Sequence, residues 1–309
     1  MKAFITGVNG FVGKHLSNFL LSKGFEVSGM GLSDRYEGDN EISYYQADLL
    51  DFDKLKQIID EIKPEIMFHL AGFTSVKKSF EQPELCKKVN VKGTKNILDA
   101  VISSKINPKI LVISSAEVYG VPKSIPIPET AKPNPVTPYG QSKKEQEELC
   151  LDYYSEYNLN IIISRSFPHI GPGQQPIFVV SDFAKQIIEV EKGDKNPIIK
   201  VGNLGIKRDL TDVRDIIEAY LLAVKKCKPG EIYNICSNKS YSIKYVLDKL
   251  LSLVQVEIKI EQDPTRLRPI DIPILQGDNS KFIKVTRWAP KIPIETTLKD
   301  TLMYWRKEA

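Results

Sequence analysis

Three glycines directly after the first apolar segment constrain the fold more than any other feature of this 309-residue chain. The apolar run at residues 2–6 is followed by GVNGFVG at residues 7–13, and apolar residues then recur at helical spacing over 12–22. The first glycine permits a tight turn, the second lets the backbone approach a pyrophosphate, and the third allows the helix to pack closely on a sheet. Free N–H groups at the helix start attract the same anion. The motif predicts a dinucleotide site rather than a glycine-rich turn that binds nothing.

The first two-thirds of the chain alternates strand-like and helix-like segments. Further strands are predicted at 25–30, 42–46, 66–70, 109–114 and 160–165, and helices at 53–62, 86–101 and 138–157. Apolar strands separated by helices are typical of a parallel sheet covered on both faces, and right-handed crossovers make such a sheet doubly wound. We therefore expect an α/β fold of the Rossmann type.

The alternation becomes irregular and rich in proline after about residue 167. We expect a dinucleotide-binding domain at 1–166, to which later segments return, and a mainly substrate-binding, smaller C-terminal lobe at 167–309. Ligands of doubly wound sheets bind at the carboxyl ends of the strands, so a cleft shared by the two lobes is predicted there.

Composition narrows the class of protein. The 43 basic and 39 acidic residues give a net charge of only +4, which does not favour a nucleic-acid or membrane surface. Four dispersed cysteines form no CxxC pair, so neither a metal site nor a disulfide framework is indicated. No apolar run is long enough to span a bilayer, and the first residues lack a signal-peptide layout. We expect a cytoplasmic protein with reduced thiols.

Residues near the second and third strands bear on the choice of cofactor. An NAD-binding site carries an acidic residue at the end of the second strand, whereas this chain has Gly31, with Asp34 and Arg35 a few residues later. The missing acid and the nearby arginine favour NADP(H). NAD stays possible, because Asp34 could turn back or the pair could be a solvated surface turn. Asp48 could accept the adenine amino group or cap a helix.

Tyr139 and Lys143 lie four residues apart near the start of a predicted helix, and so on one face of it. An ammonium beside a phenol favours the phenolate and so lowers the pKa of the tyrosine. Such a tyrosine can exchange a proton with a sugar carbonyl or alcohol. Ser115 follows the fifth strand, where its hydroxyl can donate to the same oxygen. A surface Tyr–Lys pair and a capping serine are the alternatives for the separate motifs, but their order after the glycine triplet favours catalysis.

With these motifs in this order, the chain resembles the extended short-chain dehydrogenase/reductases, in their epimerase/dehydratase branch, over essentially its whole length. The resemblance implies that Ser115, Tyr139 and Lys143 form the catalytic triad. It also implies a homodimer built by the helix that carries Tyr139 and the long helix before it. In related 4,6-dehydratases a glutamate of the same motif is the base of water elimination. Glu117 could be that base, a carboxylate that orders the sugar, or a structural residue.

The second half of the chain resembles enzymes of the GDP-mannose pathway. The stretches RSFPHIGPGQ (165–174), KRDLTDVRD (207–215) and DPTRLRPIDIP (263–273) carry this resemblance, although Pro168 replaces the family's asparagine and removes an amide donor. It implies reduction of the 4-keto group of a GDP-6-deoxy-4-keto-hexose by NAD(P)H, in the synthesis of GDP-D-rhamnose. GDP-mannose 4,6-dehydratase and nucleotide-sugar 4-epimerase are the alternatives. The short chain, without an arginine-rich cofactor loop, favours the reductase, and the retained Tyr–Lys pair disfavours a non-catalytic dinucleotide sensor.

Two sets of site residues follow. The residues expected at the cofactor are Gly7, Gly10, Phe11, Val12, Gly13, Arg35, Asp48, Leu49, Leu70, Ala71, Tyr139 and Lys143. The residues expected at the substrate are Ser115, Ala116, Glu117, Pro168, Val179, Lys185, Arg208, Arg268 and Asp271. Arginine forks bind diphosphate oxygens, although each arginine could instead form an ion pair. The resemblance implies that Arg208 and Arg268 contact the diphosphate and ribose, and that Val179 and Lys185 flank the nucleotide.

Overall fold

The computed structural model describes residues 1–38, 40–267 and 269–308. The elements up to residue 166 are β1 (Lys2–Thr6), α1 (Phe11–Ser22), β2 (Glu26–Gly31), β3 (Ser43–Gln46), α2 (Phe52–Ile62), β4 (Ile66–His69), α3 (Val76–Glu81), α4 (Pro83–Lys87), α5 (Gly93–Ser103), β5 (Lys109–Ser115), α6 (Pro138–Tyr157) and β6 (Ile161–Ser166). The later elements are β7 (His169–Ile170), α7 (Val179–Glu191), β8 (Ile198–Val201), β9 (Lys207–Asp209), β10 (Thr211–Asp212), α8 (Val213–Lys226), β11 (Ile232–Ile235), β12 (Ser240–Ser242), α9 (Ile243–Leu251), β13 (Lys259–Gln262), β14 (Ile274–Leu275), α10 (Ser280–Thr286) and α11 (Ile294–Glu308).

Seven parallel strands form the central sheet, in the order β11-β6-β5-β4-β1-β2-β3. The order reverses between β1 and β4, which is the switch point at which doubly wound sheets bind ligands. The predicted α/β class is therefore confirmed. The predicted strands agree with those of the structure to within one residue at each end. The last strand of the sheet, β11, comes from the second half of the chain.

Apolar side chains fill both faces of the sheet, as the near-continuous apolar runs of its strands require. One core lies between the sheet and helices α1 and α8, where Leu16, Leu20 and Ile216 are buried. The other lies under α2, α5 and α6, where Ile58 and Ile97 are buried. Because helices cover both faces, polar chemistry is left to the carboxyl-terminal edge of the strands.

One predicted helix is broken. Residues 86–101 read as a single helix from their periodicity, but the structure has α4, a π-helical turn at Lys88–Lys92, and then α5. The side chain of Asn90 in this turn bonds both the N–H and the carbonyl of Phe73, at 2.8 and 3.2 Å. A long-range contact of this kind has no signature in local periodicity, and π-turns inside helices are frequent at functional sites.

The later part of the chain has a core of its own, formed by α7, α9 and α11 around Phe183, Leu247 and Leu298. Small sheets with the strand orders β12-β9-β14 and β13-β8 flank it. Lys77 of α3 reaches across to the carbonyl of Thr265, at 2.9 Å. Within the described ranges, no helix has the length and apolar character needed to cross a bilayer, and no cluster of three metal-ligating side chains is found.

Candidate active site

The glycine turn after β1, called here the glycine cradle, is packed too closely for side chains at two of its three glycines. Gly7 has a φ of 72°, and an added Cβ would lie 2.9 Å from the main chain of Ala71. A Cβ on Gly13 would lie 2.6 Å from the carbonyl oxygen of Val8. Glycine is therefore required at both positions, at Gly7 for the turn geometry and at Gly13 because the start of α1 lies against the main chain of the turn. Gly10 is more open, because among the described residues an added Cβ there would meet only the Gly7 carbonyl oxygen, at 3.1 Å, which suits the backbone approach of a pyrophosphate.

The start of α1 offers unpaired N–H groups beside this cradle. Its N-cap is Gly10, which has no side chain to occupy the first amides, so the positive end of the helix is open to an anion. Asn9 holds the turn, because its amide donates to the carbonyl of Arg35 at 2.9 Å and accepts from the N–H of Glu37 at 3.0 Å. Phe11 stacks on His169 with 6.2 Å between ring centroids. This stack joins the glycine turn to the segment after β6.

At the end of β2 the phenol of Tyr44 takes the space that an acidic side chain would need. A Cβ on Gly31 would lie 3.0 Å from the Tyr44 hydroxyl, which donates to the carbonyl of Ser33 at 2.7 Å. The nearby carboxylate of Glu37 pairs with Lys14 at 3.2 Å. Arg35 is exposed. The edge of the cradle thus carries an exposed guanidinium and no acid at position 31.

The third and fourth strands supply Asp48, Leu49, Leu70 and Ala71. Asp48 is exposed and accepts from the N–H of Leu50 at 2.9 Å, forming a local turn. The possibility that Asp48 caps α2 is wrong, because Asp51 occupies that position and accepts from Lys54 at 3.0 Å. Leu49 is buried, whereas Leu70 and Ala71 are half-buried where β4 ends. The latter pair borders the glycine turn, since the Ala71 main chain contacts Gly7.

Ser115 and Tyr139 meet at the carboxyl end of β5. Ser115 is the last residue of this strand, and its hydroxyl accepts from the N–H of Glu117 at 3.2 Å. Helix α6 begins beside it because Thr137 caps the helix through Gly140 at 2.9 Å. Burial raises the pKa of Tyr139 above its usual value, and a hydrogen bond from Ser115 lowers it. The two hydroxyls therefore lie close enough to address one substrate atom.

Lys143 lies one turn along α6 from Tyr139, with its ammonium 6.0 Å from the centroid of that ring. The ammonium donates to the carbonyl of Ile113 at 2.8 Å and to Gln146 Oε1 at 3.0 Å. Burial lowers the pKa of Lys143 to about 8. The expectation that Lys143 lowers the pKa of Tyr139 is wrong for this structure, because the ammonium points to other acceptors and burial of the phenol dominates.

Glu117 lies beside the same pair, in the 3₁₀ turn Ala116–Tyr119. Its charge contributes to the raised pKa of Tyr139, so the carboxylate acts on the phenol electrostatically. A Cβ on Gly140 would lie 2.6 Å from the Glu117 carbonyl, which shows how closely the turn and α6 pack. The adjacent Ala116 is fully buried beneath the turn. Ser115, Glu117, Tyr139 and Lys143 are therefore brought together.

Several polar residues that support this cluster could not be selected from local sequence patterns. The main-chain N–H of Tyr139 donates to Ser79 at 3.2 Å. Asn90 donates to Ser142 at 2.9 Å, and the Cys86 thiol lies 3.4 Å from the same Ser142 hydroxyl. The one sequence signal for these residues is a polar side chain within an otherwise apolar helical pattern. Such positions are too common to identify a functional residue.

Among the residues expected at the substrate, Arg208 is buried on β9 and donates to the carbonyls of Ile272 and Lys207, at 2.7 and 2.9 Å. Asp271 precedes Ile272, and one of its carboxylate oxygens accepts from Asn203 at 3.1 Å. Arg208 and Asp271 are thus carried by neighbouring segments, as β9 pairs with β14. Pro168 follows β6, and its carbonyl accepts from Thr211 at 3.1 Å.

Val179 and Lys185 are not brought together. They lie six residues apart on α7, which places them on different faces of that helix. Val179 is exposed at the helix start, whereas Lys185 lies over the ring of Trp305 at 5.4 Å and 3.9 Å from Glu189. Arg268 lies outside the described residues.

Comparisons with known proteins place these features in a family. Residues 4–301 match the family model described as GDP-mannose 4,6 dehydratase. GDP-6-deoxy-D-mannose reductase of Pseudomonas aeruginosa is 34% identical, covering 98% of this chain and 97% of that protein. Among solved structures, RMD from Pseudomonas aeruginosa complexed with NADPH has a TM-score of 0.88 at 32% identity, covering 100% of this chain and 99% of the other. UDP-glucose 4-epimerase of Thermus thermophilus complexed with NAD has a TM-score of 0.91 at 27% identity, with 100% of both chains covered.

The matches span nearly the whole chain and include the glycine turn, the Ser115 strand end and the Tyr139 helix. This chain therefore belongs to the GDP-mannose 4,6-dehydratase family of the extended short-chain dehydrogenase/reductases.

Proposed function

We propose that this protein reduces the 4-keto group of a GDP-6-deoxy-4-keto-hexose with NADPH, forming the 4-hydroxy sugar of the GDP-D-rhamnose type. The observation that carries the proposal is the meeting of the Ser115 and Tyr139 hydroxyls at the end of β5, beside the glycine cradle. The 34% identity to a GDP-6-deoxy-D-mannose reductase over nearly the full length of both proteins supports the same reaction.

The state of Tyr139 suits a proton donor. A tyrosine phenol, with a pKa of about 10 or above, is protonated at neutral pH, so it can transfer a proton to the C4 oxygen as negative charge develops there. Ser115 donates a hydrogen bond to the same oxygen and polarises the carbonyl. We infer that Lys143, whose pKa of about 8 leaves its ammonium mostly protonated at neutral pH, holds the cofactor ribose. When bound, the reduced nicotinamide supplies the hydride.

The cradle and its edge support NADPH as the cofactor. Gly7 and Gly13 shape the turn, Gly10 leaves the backbone open to a pyrophosphate, and Phe11 and Val12 begin the helix whose first N–H groups attract an anion. We infer that Arg35, which is exposed and follows a strand end without an acid at position 31, contacts the 2′-phosphate. Asp48, Leu49, Leu70 and Ala71 complete the adenosine side. NAD is the weaker alternative. It is supported by the similarity to an epimerase whose structure was solved with NAD.

The nucleotide side of the substrate is assigned to the later segments. We infer that Arg208 and Asp271 contact the diphosphate and ribose, with Val179, which is exposed at the start of α7, near the guanosine. Arg208 supports this, because its buried guanidinium is oriented by two main-chain carbonyls and so is preorganised for a bidentate contact. Pro168 cannot supply the amide donor of its relatives, so Ser115, Ala116 and Glu117 carry more of the sugar recognition.

A second candidate is a GDP-mannose 4,6-dehydratase, and Glu117 is the observation that favours it. Its carboxylate is close enough to Tyr139 to influence the phenol, which is where an elimination base would lie. The family model carries the same description. A dehydratase returns its hydride to the product, so it would consume no net cofactor.

Offering the two substrates separately distinguishes the candidates. With the 4-keto GDP-sugar and NADPH, we expect one NADPH oxidised per sugar, and NMR should show a new C4 hydroxyl. With GDP-mannose and catalytic NADP⁺, we expect no 4-keto product. No NADPH consumption with the keto-sugar would reject the reductase, and a 4-keto product from GDP-mannose would establish the dehydratase.

We further propose that residues 1–166 bind the dinucleotide, with β11 completing their sheet, and that residues 167–309 mainly bind the sugar nucleotide. The separate apolar core of α7, α9 and α11 supports this division. NADPH binding should survive changes to Arg208, and GDP binding should not. Loss of NADPH affinity in such a variant would contradict the division.

A homodimer in the cytoplasm is the expected state. Exposed large apolar side chains on α4 and α6, namely Leu85, Tyr154 and Tyr157, support association of a second copy along these helices. The four cysteines are free and buried, which suits a reducing compartment. Sedimentation should give a dimer that Tyr157→Glu weakens, and fractionation should find the protein with cytosolic markers.

A further inference from the structure

A chain of buried side chains crosses the molecule from the end of β1 to the catalytic lysine. Thr6 Oγ1 lies 2.8 Å from His69 Nδ1, and His69 Nε2 lies 2.9 Å from Thr94 Oγ1. Gln146 Nε2 donates to Thr94 Oγ1 at 2.6 Å, and its Oε1 accepts from Lys143 at 3.0 Å. All five residues are at most 6% exposed. We call them the Thr6–Lys143 chain.

Only one placement of hydrogens satisfies this chain. The Thr94 hydroxyl donates to the carbonyl of Asn90 at 2.6 Å, so it has no second hydrogen for His69. His69 Nε2 must therefore donate to Thr94, which leaves Nδ1 as an acceptor for the Thr6 hydroxyl. His69 is neutral in this tautomer, and burial lowers its pKa to about 3, in agreement.

The same count of donors and acceptors determines the orientation of the Gln146 side-chain amide. Thr94 accepts from His69 and from Gln146, so the NH₂ group of Gln146 must face Thr94 and its carbonyl oxygen must face Lys143. A flipped amide would place donors against the lysine ammonium. Thr94 and His69 thus determine that Lys143 meets an acceptor on α6, in addition to the carbonyl of Ile113 on β5.

We propose that Gln146, oriented by Thr94 and His69, is a positioning residue that holds the Lys143 ammonium in place for the reaction. The inference rests on the proposed function for its catalytic consequence. At its other end the chain reaches the cofactor cradle, because Thr6 Oγ1 accepts from the N–H of Ala71 at 3.1 Å. The chain therefore connects the two groups of residues that the cofactor would bridge.

Several neighbouring groups affect the pKa of Lys143, so a test must leave those groups unchanged. Cys86 from α4 and Cys150 and Glu147 from α6 favour its charged form, while burial opposes it. His69 is near enough that Lys143 contributes to its lowered pKa. Substitutions at position 146 leave all of these groups in place.

Protein labelled with ¹³C at lysine Cε allows Lys143 to be titrated by NMR, with its signal assigned from the Lys143→Met variant. Gln146→Met removes the acceptor at nearly constant volume, so we expect the pKa of Lys143 to fall by about one unit. Gln146→Glu supplies a charged acceptor and should raise it. Gln141→Met is the matched control, because Gln141 is exposed on the same helix and bonds Glu145. Unchanged titration in folded Gln146→Met and Gln146→Glu would overturn the proposal.

Substitutions at Thr94 give a second, independent pair of test variants. Thr94→Val keeps the shape but loses the hydroxyl that orients Gln146, so the Lys143 signal should shift as in Gln146→Met and the KM for NADPH should rise about tenfold. Thr94→Ser restores the hydroxyl and should return both values toward those of the wild type. Equal behaviour of the valine and serine variants would refute the orienting role even if Gln146→Met does not fold. The NMR titration needs no turnover, so a failed reductase assay with a shifted Lys143 signal would reject only the proposed function.

Discussion

The ion pair of Arg165 and Glu147 anchors the helix that carries the proposed catalytic residues Tyr139 and Lys143, and its removal gives a quantitative prediction. Both side chains are at most 4% exposed. Arg165 on β6 donates to Glu147 on α6 through Nε at 3.0 Å and Nη2 at 2.7 Å. Ser114 donates to the same carboxylate at 2.5 Å. Glu147 lies one turn beyond Lys143, so this pair fixes α6 against β5 and β6.

Arg165→Met leaves the Glu147 carboxylate buried without its cation. Breaking a buried pair in this way costs about 3–5 kcal/mol of unfolding free energy. With an unfolding entropy of roughly 2.1 cal/mol/K per residue, 309 residues give about 0.65 kcal/mol per degree, so the melting temperature should fall by about 5–8 °C. Adding Glu147→Gln removes the stranded charge and should recover more than half of the loss.

The surface pair of Arg306 and Glu191 is the matched control for burial. It has the same two-pronged geometry, with both bonds at 2.8 Å, but about a third of each side chain is exposed. Arg306→Met should therefore cost no more than about 1 kcal/mol. Calorimetry of the three variants and the wild type checks the reasoning. Equal losses for Arg165→Met and Arg306→Met, or a double variant less stable than Arg165→Met, would refute it.

Three further predictions concern the site. Tyr139→Phe should lower kcat by at least about 100-fold while NADPH binding, followed by fluorescence, stays within threefold, because only the proton donor is lost; full activity would remove Tyr139 from the reaction. Arg35→Ala should raise the KM for NADPH by about 10- to 100-fold and leave that for NADH unchanged, since only NADPH has the phosphate; equal effects on both cofactors would count against the assignment. The pKa of His69 lies at about 3 in the folded protein, below about 6.5 when unfolded, so the unfolded chain binds the extra proton between these values and stability is lost as pH falls. From pH 7 to pH 5 this loss should be about 2 kcal/mol greater in the wild type than in His69→Gln, measured by urea unfolding; parallel losses would contradict it.

Much of the fold followed from local patterns. Local patterns predicted strands β1 to β6 of the sheet and the start of α6 at Pro138. They could do so because apolar runs, capping residues and proline act over a few neighbouring positions. The prediction of one continuous helix at 86–101 was wrong, because a π-turn interrupts it around Asn90. That turn depends on a contact with Phe73, seventeen residues away. Asp48 as a helix cap was wrong because Asp51 competes for the same role three residues later.

The sequence by itself determined which groups the site contains: a glycine turn, a serine at a strand end, and a tyrosine and lysine on one helix face. Their order and spacing suffice because each motif is local and the sheet topology brings strand ends together. Only the tertiary structure decided what state those groups are in. The Lys143 ammonium turns to Gln146 and to Ile113, which is 30 positions away, and burial raises the pKa of the Tyr139 phenol. The contacts that orient Gln146 join residues 25 to 63 positions apart. Desolvation and hydrogen-bond direction depend on these distant neighbours, and no local pattern of residues encodes them.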